Sequence, residues 1–334
     1  MIIKFFSMCI LYLTNKDYKL EKKYNTIIVS DKNDNVKTIP IEKINRIVIY
    51  GKKAISSQLI FELLKKNISL VWFSKYGNFL GTLNSKEKVN IKLYKKQFIL
   101  NNDKNFYLNI SKVFIISKIK NCRVLLYRYN RKMNIDFISN NIKELYLYIN
   151  KINHSDNIST ILGYEGNCAK LYFKCINYFL PKEFNFINRN KRPPKDAFNS
   201  LLSFGYTLLF YEIYNILLYK GINPYIGFLH KLRNNHPSLV SDLMEEFRSP
   251  IIDSIIISSL RKNIFSLEDF ECSKKTSGVY LKRKSIKKLI TLFENRMCKK
   301  NKKNFREILL LQSNSLLEAI EKKDFKLYKS FVIR

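Results

Sequence analysis

Up to about residue 85, short apolar runs alternate with polar turns, which is the signature of strands. β-branched and aromatic residues mark strands over 10–14, 26–30, 38–40 and 46–50, broken by turns such as Asp31-Lys32-Asn33-Asp34. One helix interrupts them over 56–66, where Leu59, Ile60, Leu63 and Leu64 keep helical spacing and Ser56 or Ser57 can cap the first turn. An apolar strand over 68–73 follows, then a short strand over 78–83 after the Tyr76-Gly77 turn. From about residue 90 the apolar spacing lengthens to that of helices. Helices are predicted over 97–100, 106–130, 138–152, 160–180, 196–220, 238–247, 251–262, 284–299 and 304–321. Gly221 stops the long helix 196–220, with Pro224 just beyond it. The pattern predicts an α+β protein. A small N-terminal β-rich domain, 1–86, precedes a larger all-helical domain, 87–334, with a charged linker around 84–92.

Charge alters this picture more than length does. The 334 residues carry 60 Lys plus Arg against 27 Asp plus Glu, a net charge of +33. Such an excess calls for a polyanionic partner, with DNA or RNA ahead of an anionic membrane surface. At 46% hydrophobic the chain can bury a sizeable core, which excludes a disordered protein. Only 9 Gly and 7 Pro exclude collagen-like and glycine-rich classes. No stretch of about 18 uninterrupted apolar residues occurs, so no membrane-spanning helix is predicted. The first fourteen residues imitate a signal peptide. No small-residue cleavage site follows Tyr12, Thr14, Asn15 and Lys16, so the run reads as a buried strand and the protein as cytoplasmic. Cys9, Cys122, Cys168, Cys175, Cys272 and Cys298 contain no Cys-x-x-Cys pair. They read as reduced, mostly buried thiols. The lysine-rich run 282–303 reads as a solvated face, with phosphate contact as its alternative.

Candidate chemistry is sparse. Of the three histidines, His154 lies in a polar connection and His236 precedes Pro237 at a helix start. His230 closes a turn and a short apolar run, where it is either structural or a ligand or base. Glu165 lies on the helix 160–180 with Ile161, Leu162, Cys168 and Ala169 as its helical neighbours. A carboxylate on such a face must be paired, protonated or bound to a metal. Gly163 and Gly166 beside it leave room for another backbone or a ligand. On 238–247, Leu239, Leu243 and Phe247 form an apolar stripe, and Asp242, Glu245 and Glu246 share the other side. Their spacing alone favours a solvated acidic face over a divalent-cation site. Together, Glu165, His230 and Glu245 would offer two carboxylates and an imidazole, a donor set suited to Mg²⁺ or Mn²⁺. Spacing does not bring the three together.

The order of motif blocks resembles one family, the integrase-nuclease subunit of CRISPR adaptation modules commonly called Cas one. The N-terminal part carries Leu11 to Thr14, Ile39-Pro40, Ile47-Val48, Gly51 with Ile55-Ser56, and Gly77 to Gly81. The specific blocks come later: Leu-Gly-Tyr-Glu-Gly-Asn at 162–167, the run Asn190 to Tyr206, Asn-Pro-Tyr-Ile-Gly-Phe-Leu-His at 223–230, and Pro237-Ser238-Leu239 with Asp-Leu-Met-Glu-Glu-Phe-Arg at 242–248. Residues 278–281 also fit. The resemblance covers almost the whole chain. It implies an N-terminal dimerisation domain, a helical catalytic domain and a homodimer. It further implies a heterohexamer with a small adaptation partner, and insertion of short DNA fragments into a CRISPR array. By motif it assigns Glu165, His230 and Glu245 as metal ligands and catalytic residues for Mg²⁺ or Mn²⁺, with Asp242 supporting them and Glu246 as the nearest rival of Glu245. It makes Arg189, Lys191, Arg192, Lys195, Asn199 and Arg248 candidate DNA contacts; Tyr206 reads equally as packing. A few extra residues before the first strand, Cys168, and the loosely matching C-terminal helices depart from the pattern. The alternatives are a non-catalytic DNA-binding scaffold of the same fold and a related mobile-element integrase.

Overall fold

A computed structural model describes residues 2–3, 9–14, 18–31, 35–85, 89–191, 193–273, 276–299 and 304–333. The turn residues 32–34, residues 86–88 of the linker, Arg192 and residues 300–303 of the lysine run lie outside them. The chain forms two compact units. One comprises Met1–Glu87, Asp269–Glu271 and Tyr280–Glu294; the other comprises Lys88–Glu268, Cys272–Val279 and Asn295–Arg334.

The first unit is built on two sheets. β1 (Ile2–Ile3), β2 (Cys9–Leu13), β6 (Ile44–Tyr50), β8 (Ser69–Phe73) and β9 (Phe79–Leu83) form one sheet in that spatial order, with parallel pairing at β2–β6 and β6–β8. β5 (Val36–Pro40), β4 (Thr26–Ser30), β3 (Lys19–Lys23) and β7 (Ala54–Ile55) form the second. Register aligns Leu11 with Ile47 and Ile47 with Leu70, so one face of the first sheet presents a continuous aliphatic surface. That surface shares a core with Leu20, Ile27, Val29 and Ile39 of the second sheet and with Leu59 and Leu63 of helix α1 (Ser57–Lys65). The Ser56 hydroxyl caps α1 by accepting from Leu59 N. The opposite face of the first sheet is also buried through Ile10, Tyr12, Val48 and Val71. There the Tyr12 hydroxyl donates to Glu294 at 2.8 Å. Strand β3 escapes the sequence pattern because Lys-Leu-Glu-Lys-Lys buries only Leu20 fully.

The second unit is mostly helical. It contains α2 (Ile91–Asn102), α3 (Lys104–Met133), α4 (Asp136–Asn153), α5 (Ile158–Asn177), α6 (Ala197–Tyr219), α7 (Ser238–Met244), α8 (Ser254–Arg261) and α10 (Phe305–Lys322). Helix α9 (Arg283–Cys298) follows a two-stranded ribbon of β10 (Phe270–Cys272) and β11 (Val279–Leu281). Local chemistry sets the ends. Asp103 caps α3, Asn134 stops it in the left-handed region, Asp196 caps α6, and Asn304 with Glu307 forms a reciprocal cap on α10. Helix α6 is long and apolar enough to cross a membrane by length and composition. Its apolar residues Leu201, Leu202, Leu209, Ile213 and Leu217 are buried, as suits the core helix of a folded domain. The predicted helix 251–262 differs. An α-helix begins only at Ser254, preceded by a π-helical segment, Arg248–Asp253. Gly205 lets α6 approach that segment, since a Cβ there would lie 2.7 Å from Ile252 Cγ2.

Candidate active site

Four chain segments converge on one partly buried cluster. Helix α5 supplies Glu165, the loop between α6 and α7 supplies His230, the end of α7 supplies Asp242 and Glu245, and α3 supplies Lys118. The Lys118 ammonium pairs with Glu165 Oε1 and lies 2.6 Å from Glu245 Oε2. Arg248 reaches Glu245 Oε1 at 3.2 Å. Glu245 Oε2 makes no hydrogen bond of good geometry, so its contact with Lys118 is purely ionic. Burial alone would raise the Glu245 carboxyl, but Arg248, Lys118 and His230 hold it well below the usual carboxylate range. Burial likewise opposes the charge of Lys118, and Glu245 and Glu165 override it, raising the ammonium above its ordinary value.

His230 is fixed from behind. Gln97, fully buried on α2, donates to Asn223 O at 2.8 Å and Ile226 O at 2.6 Å and so pins the preceding turn. Asp242 then gathers that turn's end. Its Oδ2 accepts from Phe228 N at 2.6 Å and Leu229 N at 3.0 Å, and its Oδ1 accepts from His230 N at 3.0 Å. His230 Nδ1 lies 2.6 Å from the same Oδ1. A carboxylate only accepts, so Nδ1 carries a proton, and in the neutral form of the ring Nε2 holds the lone pair. Burial opposes protonation of this imidazole, but Asp242 and Glu245 outweigh it and raise its pKa. Gly227 is required here, since a Cβ would meet Asp242 Oδ2 at 2.7 Å and Leu239 N at 2.9 Å.

The expected solvated acidic face does not exist. Asp242, Glu245 and Glu246 are all buried, and each serves a different partner. Helix α7 ends at Met244, and Glu245 and Glu246 diverge from there. Glu246 accepts from Tyr328 Oη at 2.8 Å and Phe331 N at 2.7 Å and meets the Gln312 amide. Burial pushes its carboxyl up to about 8. Glu246 therefore anchors the C-terminal segment, and Glu245 faces the cations. Asn121, on α3 close to Lys118, donates to Glu246 O at 2.8 Å and Phe331 O at 2.9 Å, which fixes Lys118 relative to Glu245.

The basic residues divide. Arg248 stacks on the Tyr206 ring at 4.6 Å, and Arg189 lies over the same ring at 5.5 Å. The Tyr206 and Tyr172 hydroxyls each donate to buried Asp253 at 2.7 Å. Tyr206 thus packs in the core and carries two guanidinium groups. Lys191 is exposed, yet lost hydration first and the charges of Arg248 and Arg189 next lower its pKa, with Glu245 opposing them. Lys195 is exposed. Asn199, expected among the DNA contacts, is instead fully buried. Its oxygen accepts from Arg189 at 2.8 Å, and its amide nitrogen donates to Asp196 at 2.6 Å and Asn188 O at 3.0 Å, so it organises the basic loop. Arg192 lies outside the described residues. Gly163 and Gly166 face open space, with no neighbouring backbone against them.

Sequence reasoning missed Lys118. Its signal was a charge within the stripe Phe114, Lys118, Asn121 and Leu125, whose other members are buried. Among the described residues no three His, Cys, Asp or Glu side chains already form a metal-binding group. Two carboxylates bridged by an ammonium, beside an imidazole with a free Nε2, nonetheless suit a hard dication: one cation already fits between Glu165 and Glu245.

Comparison with known proteins agrees with the motif blocks. The family model of CRISPR associated protein Cas1 matches residues 11–295. A protein named CRISPR-associated endonuclease Cas1 3, from Thermus thermophilus, is 30% identical over 334 residues, covering 97% of this chain and 97% of that protein. Among solved structures, a Cas6-RT-Cas1–Cas2 complex superposes with a TM-score of 0.84 at 24% identity, covering 99% of this chain. The present chain spans 37% of that longer chain. A casposase bound to integration product superposes with a TM-score of 0.81 at 24% identity, over 97% of this chain and 95% of that one. On its sequence and its fold, the chain belongs to the CRISPR-associated Cas1 family.

Proposed function

We propose that this chain is a metal-dependent DNA endonuclease and integrase of CRISPR adaptation. In this reading the 3′ oxygen of a short DNA fragment bonds to a repeat phosphorus, and the bond from that phosphorus to the departing 3′ oxygen breaks. The attacking hydroxyl loses its proton and the departing oxygen gains one. The number of phosphodiesters is unchanged, so no external energy source and no covalent enzyme intermediate is needed. The observation that carries this reading is the pair of carboxylates, Glu165 and Glu245, sharing one cation beside the oriented imidazole of His230.

Glu165, Glu245 and His230 Nε2 would hold Mg²⁺ or Mn²⁺. Such an ion supplies charge stabilisation at a phosphoryl oxygen and acidifies an attacking hydroxyl. Asp242 fixes the imidazole tautomer and its aim. Arg248, Arg189 and Lys191, with Lys195 and Arg192, hold phosphates and set position more than sequence. The family reading adds a catalytic domain from residue 87 onward, homodimerisation through residues 1–86, and a small adaptation partner completing a heterohexamer. The likeness to a Cas6-RT-Cas1–Cas2 complex, in which Cas1 is assembled with Cas2, supports such a partner.

The test is strand transfer of a short 3′-hydroxyl duplex into a supercoiled plasmid bearing leader and repeat, with and without the small partner. Products are expected with Mn²⁺, and are expected to vanish in EDTA and in Glu165→Ala and His230→Ala. Products indifferent to EDTA would overturn the metal site. DNA binding without any product, partner present, would favour a non-catalytic scaffold.

A further inference from the structure

The Lys118 ammonium occupies the space between the two carboxylates. It pairs with Glu165 and lies 2.6 Å from Glu245, with the side chains 16%, 23% and 7% exposed respectively. Arg248 compensates Glu245 from the other side. The two carboxylates are therefore already matched by two cations before any dication arrives. Lys191 acts electrostatically on Glu245 and Lys118, and Arg189 acts on Arg248. A dication added to this cluster competes with Lys118 and Arg248 for the same two carboxylates, and like charges at such range repel strongly in a desolvated site.

We propose that Lys118 is a displaceable internal counter-ion that couples metal loading to the arrival of a phosphodiester. This inference rests on the metal-ligand reading given above. Without DNA, Lys118 pairs with Glu165 and Glu245 and holds them in place, and it competes with the dication for them. A phosphate supplies a new partner for the ammonium. The lysine can then leave the carboxylates as the ion enters. Coupling of this kind is reciprocal: DNA tightens metal binding, and metal tightens DNA binding by the same factor.

The test measures Mn²⁺ binding to the full-length, metal-stripped protein by electron paramagnetic resonance of free Mn²⁺. It is run alone and with a short duplex carrying unreactive 3′ ends, after subtracting Mn²⁺ bound by the duplex itself. Wild type should bind Mn²⁺ weakly alone and about tenfold or more tightly with the duplex. Lys118→Met should bind about tenfold or more tightly without DNA, and the duplex should add less than about threefold. Lys118→Arg, which keeps the charge, should retain the wild-type coupling. Thermal melting supplies a second readout. In EDTA Lys118→Met should melt below wild type, and Mn²⁺ should raise its melting temperature more than that of wild type. If Lys118→Met binds Mn²⁺ no more tightly than wild type, or if the duplex tightens both equally, the counter-ion role is wrong while the metal site stands. Glu165→Gln separates the two ideas. If it binds Mn²⁺ as well as wild type does, the ligand assignment fails, and the inference fails with it.

Discussion

Replacing Asp242 by Asn tests the support of His230. Asp242 is fully buried and receives four donors on its two oxygens: the main-chain N–H groups of Phe228, Leu229 and His230, and the imidazole Nδ1–H. Asparagine keeps one acceptor oxygen and turns the other into a donor. With the NH₂ at the Oδ2 position the Phe228 and Leu229 N–H groups lose their acceptor; with it at the Oδ1 position the His230 N–H does, while the imidazole can move its proton to Nε2 and accept at Nδ1. Hydrogen bonds to a charged acceptor contribute about 1.5–3 kcal/mol each, so the loss of one or two is about 1.5–6 kcal/mol. That is a large share of a stability of about 5–15 kcal/mol. The assay is urea unfolding combined with hydrogen exchange at the amides of residues 228–230. The Asp242→Asn midpoint should fall by the equivalent of at least about 1.5 kcal/mol, and those amides should lose protection first. Ser241→Ala, on the same helix, removes only a hydroxyl contact with His236 at 3.2 Å and should change stability by about 1 kcal/mol or less. An Asp242→Asn loss below about 1 kcal/mol with the amides still protected would refute the reasoning.

Three further outcomes follow from the same structure. Gly227→Ala should destabilise by about 1–3 kcal/mol and expose the 228–230 amides to exchange, because its Cβ would press on Asp242 and on the α7 backbone, which cannot yield; a neutral result in a urea titration would contradict this. Burial pushes the Cys168 and Cys175 thiols up to about 12, so at about pH 8 roughly one in ten thousand is a thiolate. Iodoacetamide should label exposed Cys272 in the native protein and reach Cys168 and Cys175 only after unfolding, as read by peptide mass spectrometry. Burial raises the Asp253 carboxyl against the pull of two tyrosine hydroxyls and two arginines. Above the ordinary carboxylate range the folded chain therefore holds a proton that the unfolded chain has released, and this contribution to stability is lost as pH rises to the raised value. The stability of wild type relative to Asp253→Asn should fall from about pH 4 towards neutrality, and a constant difference in urea midpoints would contradict it.

Much of the architecture was legible because burial repeats at the period of each element. The run 26–30 buries alternate residues in a sheet, the run 46–50 is buried on both faces from Ile47 onward, and the predicted helix 56–66 is seen as Ser57–Lys65 with its expected cap. Strand β3 was illegible because main-chain pairing with β4 holds it, not side-chain alternation. Within the site, the residue types could be named but not their meeting. Lys118 and Glu165 are 47 positions apart, and no local pattern reports such a contact. The acidic cluster was misread because periodicity places side chains around a helix axis. Helix α7 stops before Glu245, and the following backbone sends Glu245 and Glu246 to different partners. Asn199 was misread because an amide beside arginines looks like a phosphate contact, whereas its hydrogen bonds are spent holding the loop that carries those arginines.

The π-helical segment Arg248–Asp253 has a consequence for how this chain can change. Upstream, Glu245 must face Lys118 while Glu246 faces the C-terminal segment; downstream, Asp253 must face Tyr172 and Tyr206. A π-helical turn holds one more residue than an α-helical turn, so it offsets the facing of everything after it relative to everything before it. Deleting a single residue there would restore ordinary winding and rotate one side by roughly 100° against the other. Either the carboxylate would leave the cations or the tyrosines would lose their acceptor. The identities of Arg248 and Asp253 are held by their partners, and the segment they bound works as a spacer whose residue count keeps the two halves of the site in phase.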